Sequence, residues 1–400
     1  MIGFVMCGKP RFSGEWVRLG DICNVRSGGT PKRSVSEYWD KGTIPWVKIG
    51  DISSKYISAI EENISEAGLK NSAAKLFQPG TLLFSIFASI GAVGILTVPA
   101  ATNQAIAGLE IKSNIINRDY LYYFLKASEM GAKRSGRGVA QNNINLSILR
   151  DMKVPVPSLA EQSAIAREFE RIDCQIDNAN NQLSSLDALV KSRFNEVFGP
   201  YIDEDKQMAL SRFCELVTVG IANAATHAYA DDGIVMLRNL NVRENQLDDS
   251  DLIRIRPDFA AKYGKKALKA GDVLVTRTGY PGIACVVPER YAGCQTFTTL
   301  IARLKSNAPI TPLFLSHWIN SPKGKEFVAR MKAGSSQQNF GASSLKLLPV
   351  PLPPLVLQQQ FAVFVQQVDK LRFMLLGTLR LYIAAVHFVA QQKVAMAGLF

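Results

Sequence analysis

The chain is poor in the residues that catalytic and metal-binding proteins concentrate. Its 400 residues include 6 cysteines and 3 histidines. Cys7, Cys23, Cys174, Cys214, Cys285 and Cys294 form no C-x-x-C pair, and His227, His317 and His387 stand far apart, so no zinc spacing is written into the sequence. H-E-x-x-H and G-x-S-x-G are missing, Gly28-Gly29-Thr30-Pro31-Lys32 lacks the phosphate-loop pattern, and the glycines near Gly91 do not form G-x-G-x-x-G. The paired acids Glu61-Glu62, Asp231-Asp232 and Asp248-Asp249 fall in polar segments and read as solvated surface, while His317 beside Trp318 in an apolar run reads as a core residue. A chain without catalysis, bound metal or cofactor of its own is expected. Met1–Phe12 shows no secretory pattern, so reduced cysteines in a cytoplasmic protein are expected as well.

Charge is missing between Lys75 and Glu110, where Leu82–Ala100 is apolar enough to invite a membrane-span reading. Gly91, Gly94 and Pro99 divide that run into strand-sized pieces, Thr81–Phe87 and Ala92–Val98, rich in β-branched and aromatic residues. The remainder of the sequence settles the choice, because this stretch has a charged counterpart. Gly80-Thr81-Leu82-Leu83-Phe84-Ser85 followed by Gly91-Ala92 returns as Gly271-Asp272-Val273-Leu274-Val275-Thr276-Arg277 followed by Gly282-Ile283. Two copies of one domain cannot put one segment in lipid and the other in water, so no membrane association is expected.

Other segments repeat in the same order. Pro45-Trp46-Val47-Lys48 answers Val235-Met236-Leu237-Arg238, Gln141-Asn142-Asn143-Ile144 answers Gln337-Gln338-Asn339-Phe340, and Val154-Pro155-Val156-Pro157 answers Val350-Pro351-Leu352-Pro353. The period is longer than that of solenoid repeats and implies two domains, each followed by a helix. The predicted boundaries are a first domain over 1–157, a helix over 158–198, a second domain over 199–354 and a second helix over 355–400.

The formal net charge of +12 is unevenly placed: +7 in residues 1–157, +5 in 199–354 and −3 in 158–198. An excess carried mainly by the repeated domains suits a polyanion.

Ile165, Phe169, Ile172, Ile176, Ala179, Leu183, Leu186 and Val190 alternate in steps of four and three, which is a coiled-coil seam. Ser158 with Glu161 forms a capping-box start, and Gly199-Pro200 is expected to end the helix. The stripe is about 37 Å long, near the 34–36 Å of one DNA turn. Phe361, Phe364, Val368, Leu371, Leu375, Thr378, Tyr382, Val386 and Val389 give similar spacing, so the two helices are expected to pair antiparallel. Met374, Leu376, Ile383 and Ala385 make the second helix apolar outside its seam as well, as a face covered by another protein would be.

Candidate polyanion-contacting residues cluster near turns. In the first domain they are Arg26, Lys32, Arg33, Lys48, Arg134, Arg137, Gln141 and Asn142; in the second, Arg238, Arg277, Thr278, Tyr280, Gln337, Gln338 and Asn339. Arginine can bond both major-groove acceptors of guanine, and Asn or Gln can match adenine's donor and acceptor, while Lys suits phosphate.

Taken together, Trp16-Val17-Arg18-Leu19-Gly20-Asp21-Ile22, the Gly28-Gly29-Thr30-Pro31 turn, Ile44-Pro45-Trp46-Val47, the Gly80–Ser85 strand, Ala140-Gln141-Asn142-Asn143-Ile144 and Val154–Pro157 leading into Glu161-Gln162 resemble the specificity subunits of type I restriction-modification systems. The resemblance runs over nearly the whole chain. It implies an α+β fold with two similar mixed target-recognition domains separated by two long helices in an antiparallel coiled coil. It also implies a bipartite site in double-stranded DNA, two modification subunits that carry S-adenosylmethionine-dependent adenine methylation, and restriction subunits that use ATP and Mg2+. The second copy has Val219-Gly220-Ile221-Ala222 in place of the Gly-Gly-Thr-Pro turn, and the first has Ile86-Phe87 near the place of Arg277, so an asymmetric target is expected. The competing expectation is a protein-interaction scaffold that does not read DNA.

Overall fold

Leu82, Leu83, Phe84 and Ser85 are all buried, as an apolar run without alternation requires when a strand is covered on both faces. The computed structural model describes residues 14–87, 90–134, 144–202, 207–222, 226–333 and 339–394. It divides into one unit of residues 1–181 with 375–400 and another of 182–374.

In the first unit Leu82–Ser85 lies between Ile106–Ile111 and Val93–Leu96, antiparallel to both, and Ile106–Ile111 also pairs with Cys23–Ser27. A second sheet sets Ile44–Val47 parallel to Ala100–Thr102 and antiparallel to Asn63–Ile64. The second unit repeats both arrangements. Val273–Val275 lies between Leu300–Leu304 and Ala284–Val286, Leu300–Leu304 pairs with Cys214–Val219, and Tyr229–Leu237 runs parallel to Gln295–Thr296 and antiparallel to Ile253–Ile255. The apolar run is thus a set of buried strands, and no described helix is long and apolar enough to cross a membrane.

The turn before each central strand needs a left-handed residue. Gly80 has φ +91 and Gly271 φ +84, and their N–H groups donate to Leu96 and Val287 carbonyls at 2.7 and 2.9 Å. Each domain's ends are also tied together, by Glu15–Arg18 against Lys153–Val156 and by Met208–Ala209 against Pro349–Val350.

The first long helix spans Leu159–Ile202. Its start is the expected capping box: the Ser158 N–H and hydroxyl donate to Glu161 Oε2 at 3.0 and 2.7 Å, and the Glu161 N–H donates to Ser158 Oγ at 3.3 Å. Its end corrects the sequence expectation, since Gly199 and Pro200 lie inside it. Proline's φ suits a helix, and only one hydrogen bond is lost near the end. Phe198 at 0% and Ile202 at 9% exposure anchor that last turn in the core of the second unit.

Along this helix Ile165, Phe169, Ile172, Ile176, Ala179, Leu183, Leu186 and Val190 are all buried or half-buried, as the seam predicts. The second helix spans Leu355–Val394. Phe361, Val365 and Val368 are buried and Phe364, Leu375 and Tyr382 half-buried, but Leu371 is 52% exposed and Thr378 is exposed. The seam slips by one residue here. Arg372 turns inward and pairs with both Asp187 and Asp369, so the stripe continues through Leu375, Leu379 and Tyr382. The side chains of Val386 and Val389 lie outside those described.

Within the second unit the pairing is antiparallel. Phe361 meets Phe194 and Phe198 with centroids 5.6 and 5.4 Å away, while Arg372, further along, meets the earlier Asp187. Burial of each such aromatic ring stabilises by about 1.5–3 kcal/mol.

Candidate nucleic-acid interface

Beyond each central strand the chain leaves the sheet through a turn organised by one hydroxyl. Thr276, 2% exposed, donates from Oγ1 to the Tyr280 carbonyl at 2.7 Å and accepts from the Ile283 N–H at 2.9 Å. Gly279 and Gly282 have φ +72 and +90, and a Cβ on Gly282 would fall 2.8 Å from a Val328 methyl. The loop between them therefore has a fixed path, and it carries Tyr280 out to 85% exposure. Ser85 holds the corresponding place in the first unit, accepting from the Ala92 N–H at 2.8 Å.

The Asn-rich segments end beside these turns. The Phe340 N–H donates to the Arg277 carbonyl at 3.1 Å, and the Ile144 N–H to the Ile86 carbonyl at 3.0 Å. Arg277 and Ile86 are therefore equivalent positions. Asn339 is half-buried next to Phe340; Arg137, Gln141, Asn142, Gln337 and Gln338 lie outside the described residues, as does the side chain of Arg134 at the end of helix Arg118–Arg134.

Lys48 and Arg238 are also equivalent. Each precedes a short turn whose third residue caps it, with the Lys48 N–H donating to Asp51 Oδ2 at 2.7 Å and the Arg238 N–H to Asn241 Oδ1 at 2.8 Å. The glycine turns agree too. A Cβ on Gly28 would lie 2.0 Å from Thr102 Oγ1, and one on Gly220 would lie 2.3 Å from the Thr296 carbonyl. The second copy thus keeps the glycine at this approach, while Gly29, where a Cβ would fall 2.4 Å from the Ala73 carbonyl carbon, gives way to Ile221.

Four of the basic candidates are already paired. Arg26 meets Glu110 at 2.8 Å, Arg33 meets Glu62 at 2.7 Å, Lys48 meets Glu62 at 2.9 Å and Arg238 meets Asp251 at 2.7 Å. Arg33 also stacks on Trp39 with its guanidinium carbon 3.7 Å from the ring centroid. Hydrogen bonds from Lys48 and then Arg33 hold the Glu62 carboxyl below its ordinary range, and donating to Glu62 raises the pKa of Lys48. Linear order did not reveal these partners: Glu62 stands among the acids read as solvated surface, and Glu110 lies 84 residues from Arg26.

Arg277 differs. It is half-buried, its Nε is buried without a hydrogen-bond partner, and no carboxylate pairs with it among the described residues. Thr278 Oγ1 accepts from Asn239 Nδ2 at 2.6 Å, a contact the sequence did not reveal. Lys32 is exposed and likewise unpaired among the described residues. An uncompensated guanidinium beside an exposed tyrosine on a fixed loop offers two parallel N–H donors and a stacking face, the chemistry that reads guanine or tracks a backbone. His317 behaves as a core residue, 6% exposed, with burial lowering its pKa to about 4. Among the described residues no group of three or more His, Cys, Asp or Glu could hold a metal ion.

Comparison with known proteins agrees with this duplication. The chain is 24% identical over 382 residues to the type I restriction enzyme MjaVIII specificity subunit of Methanocaldococcus jannaschii, covering 89% of this chain and 86% of that one. It is 22% identical over 389 residues to the EcoBI specificity subunit of Escherichia coli, covering 88% and 79%. A match to the MjaIX specificity subunit of M. jannaschii is 32% identical over 186 residues but spans only 45% of this chain and 43% of that one. The fold matches a type I restriction-modification S subunit from M. genitalium with TM-score 0.51 at 13% identity, covering 96% and 97%, and a chain from a study of type I system assembly with TM-score 0.59 at 16% identity, covering 95% and 97%. The model of the type I restriction modification DNA specificity domain matches twice, at residues 14–188 and 210–380. With both copies of that domain present and its central strand pairings repeated, the chain belongs to the family of type I restriction-modification DNA specificity subunits.

Proposed function

We propose that this chain reads a bipartite, asymmetric site in double-stranded DNA, one half with each domain, and directs adenine methylation or cleavage by partner subunits. The observation that carries this is the contrast between similar scaffolds and different exposed positions: Arg277 and Thr278 stand where the first unit has Ile86 and Phe87. Two such surfaces recognise different bases. The chain acts in the cytoplasm without catalysis or cofactor of its own. Two modification subunits carry S-adenosylmethionine, and restriction subunits carry ATP and Mg2+. The exposed Phe373 and Met374, at 77% and 67%, offer a partner an apolar face on the second helix.

The test is methylation by the assembled complex of a duplex library with randomised sequence. Modification concentrated on one split sequence, weakening steeply with salt, is expected. Equal methylation of all duplexes would overturn the reading.

A further inference from the structure

Asn239 opens the short turn Asn239–Asn241, directly after Arg238. Its Nδ2 reaches across to Thr278 Oγ1 at 2.6 Å and joins the turn to the Arg277–Tyr280 loop, which is separately held by the Phe340 backbone bond and the Thr276 hydroxyl. Around that bond three polar atoms, Arg238 Nε, Asn239 Oδ1 and Arg277 Nε, are buried without hydrogen-bond partners. Such atoms are rare in folded proteins, and their gathering on two adjacent segments beside the exposed Tyr280 marks a site whose hydrogen bonding is incomplete in the free chain.

The first unit is built differently at the same positions. Equivalence of Lys48 with Arg238 places Ile49 opposite Asn239, and equivalence of Ile86 with Arg277 places Phe87 opposite Thr278. Ile49 and Phe87 are partly buried against the first unit's cores and Ile86 is 3% exposed. An apolar set in one copy has been exchanged for a polar set in the other, within the same backbone.

We propose that Asn239 is a positioning residue for sequence reading by the second domain: its bond to Thr278 sets where the Arg277 guanidinium meets a guanine in one half-site. The proposal rests on the DNA-reading function above. Guanine is the base class because its two major-groove acceptors match the parallel donors of a guanidinium, and a loop rotated by even a small angle loses the two-bond geometry. The first domain presents no guanidinium from this loop, so its half-site is read by other chemistry.

The experiment uses the full chain in complex with its modification subunits and selects bound duplexes from a randomised library. The wild-type complex is expected to select a two-part motif, of which Arg277→Ala erases one part and thereby identifies the second domain's share. Asn239→Ala should reduce preference in that same part about tenfold and leave the other part unchanged, which also controls for folding. Thr278→Val should give a similar loss, and the double variant should be no worse than either single one, as two ends of one bond require. An unchanged motif in Asn239→Ala, or equal losses in both parts, would overturn the proposal while DNA reading itself stands. A wild-type complex that selects no motif would instead overturn the function on which it rests.

Discussion

Gln162 and Gln358 occupy equivalent places at the starts of the two long helices and make the same three hydrogen bonds. Gln162 accepts from the Asn117 N–H at 2.7 Å and donates to the Ile115 and Pro157 carbonyls, both at 2.8 Å. Gln358 accepts from the Thr311 N–H at 2.7 Å and donates to the Pro309 and Pro353 carbonyls at 3.0 and 2.9 Å. Both are almost wholly buried, at 0% and 1% exposure. Each amide satisfies the backbone where the domain's own helix begins and where the long helix leaves the domain.

Replacing either glutamine by leucine strands a buried N–H and two carbonyls in a space of similar shape. Gln162→Leu and Gln358→Leu should each destabilise the unit concerned by about 2–4 kcal/mol, given about 1–3 kcal/mol per unsatisfied group and partial relaxation. Urea unfolding followed by hydrogen exchange of the two units would check this, with protection lost in the unit carrying the substitution. Loss below about 0.5 kcal/mol would mean that water replaces the amide.

His317 predicts a pH dependence. It stacks on Phe194 at 5.7 Å and meets Phe361 edge-on at 5.0 Å; its Nε2 is unpartnered, and Arg372 and Lys191 add repulsion to the burial that lowers its pKa from 6.5 to about 4. The folded state therefore holds the neutral ring, and the unfolded chain takes up the proton first as pH falls. The stabilisation is complete above pH 6.5 and is lost progressively down to about pH 4. The loss should reach about 3 kcal/mol across that window. His317→Phe should flatten this segment of the denaturation midpoint against pH; an identical slope in the variant would place the titration elsewhere.

Arg277→Ala should remove discrimination in one half-site, at a cost of about 1–3 kcal/mol, and leave the other half intact. Lys32→Ala, without an internal partner, should weaken all duplexes alike and lower the salt slope by about one. Competition binding against single-base variants separates the two. A uniform loss for Arg277→Ala would class it as a phosphate contact.

The helices supply a test of spacing. Inserting a heptad between Ala179 and Leu183, matched by one in the second helix, preserves the stripe and adds about 10.5 Å. Methylation of duplexes with varied spacer should then favour about three more base pairs, at 3.4 Å each. Inserting three or four residues should instead rotate the seam and impair folding. An unchanged preferred spacer in a well-folded heptad variant would mean that the helices do not set the distance.

The linear chain carried the duplication, the buried strands, the capping box at Ser158 and most of the seam, because each depends on residues near one another in sequence or on a simple period. It did not carry the phase slip at Leu371, which arises only when Asp187 draws Arg372 inward, nor the helix end at Ile202, where tertiary burial of Phe198 and Ile202 outweighs the breaking tendency of Gly199-Pro200. The candidate interface divides along the same line. Sequence order placed Arg277 among the candidates because it lies at a turn beyond a strand. Only the folded structure separated it from Arg26, Arg33, Lys48 and Arg238, whose charges are met by carboxylates distant in sequence, and only the fold joined Asn239 to Thr278. Local pattern determines which elements form, whereas long-range side-chain pairing decides which of their charges remain free to meet DNA.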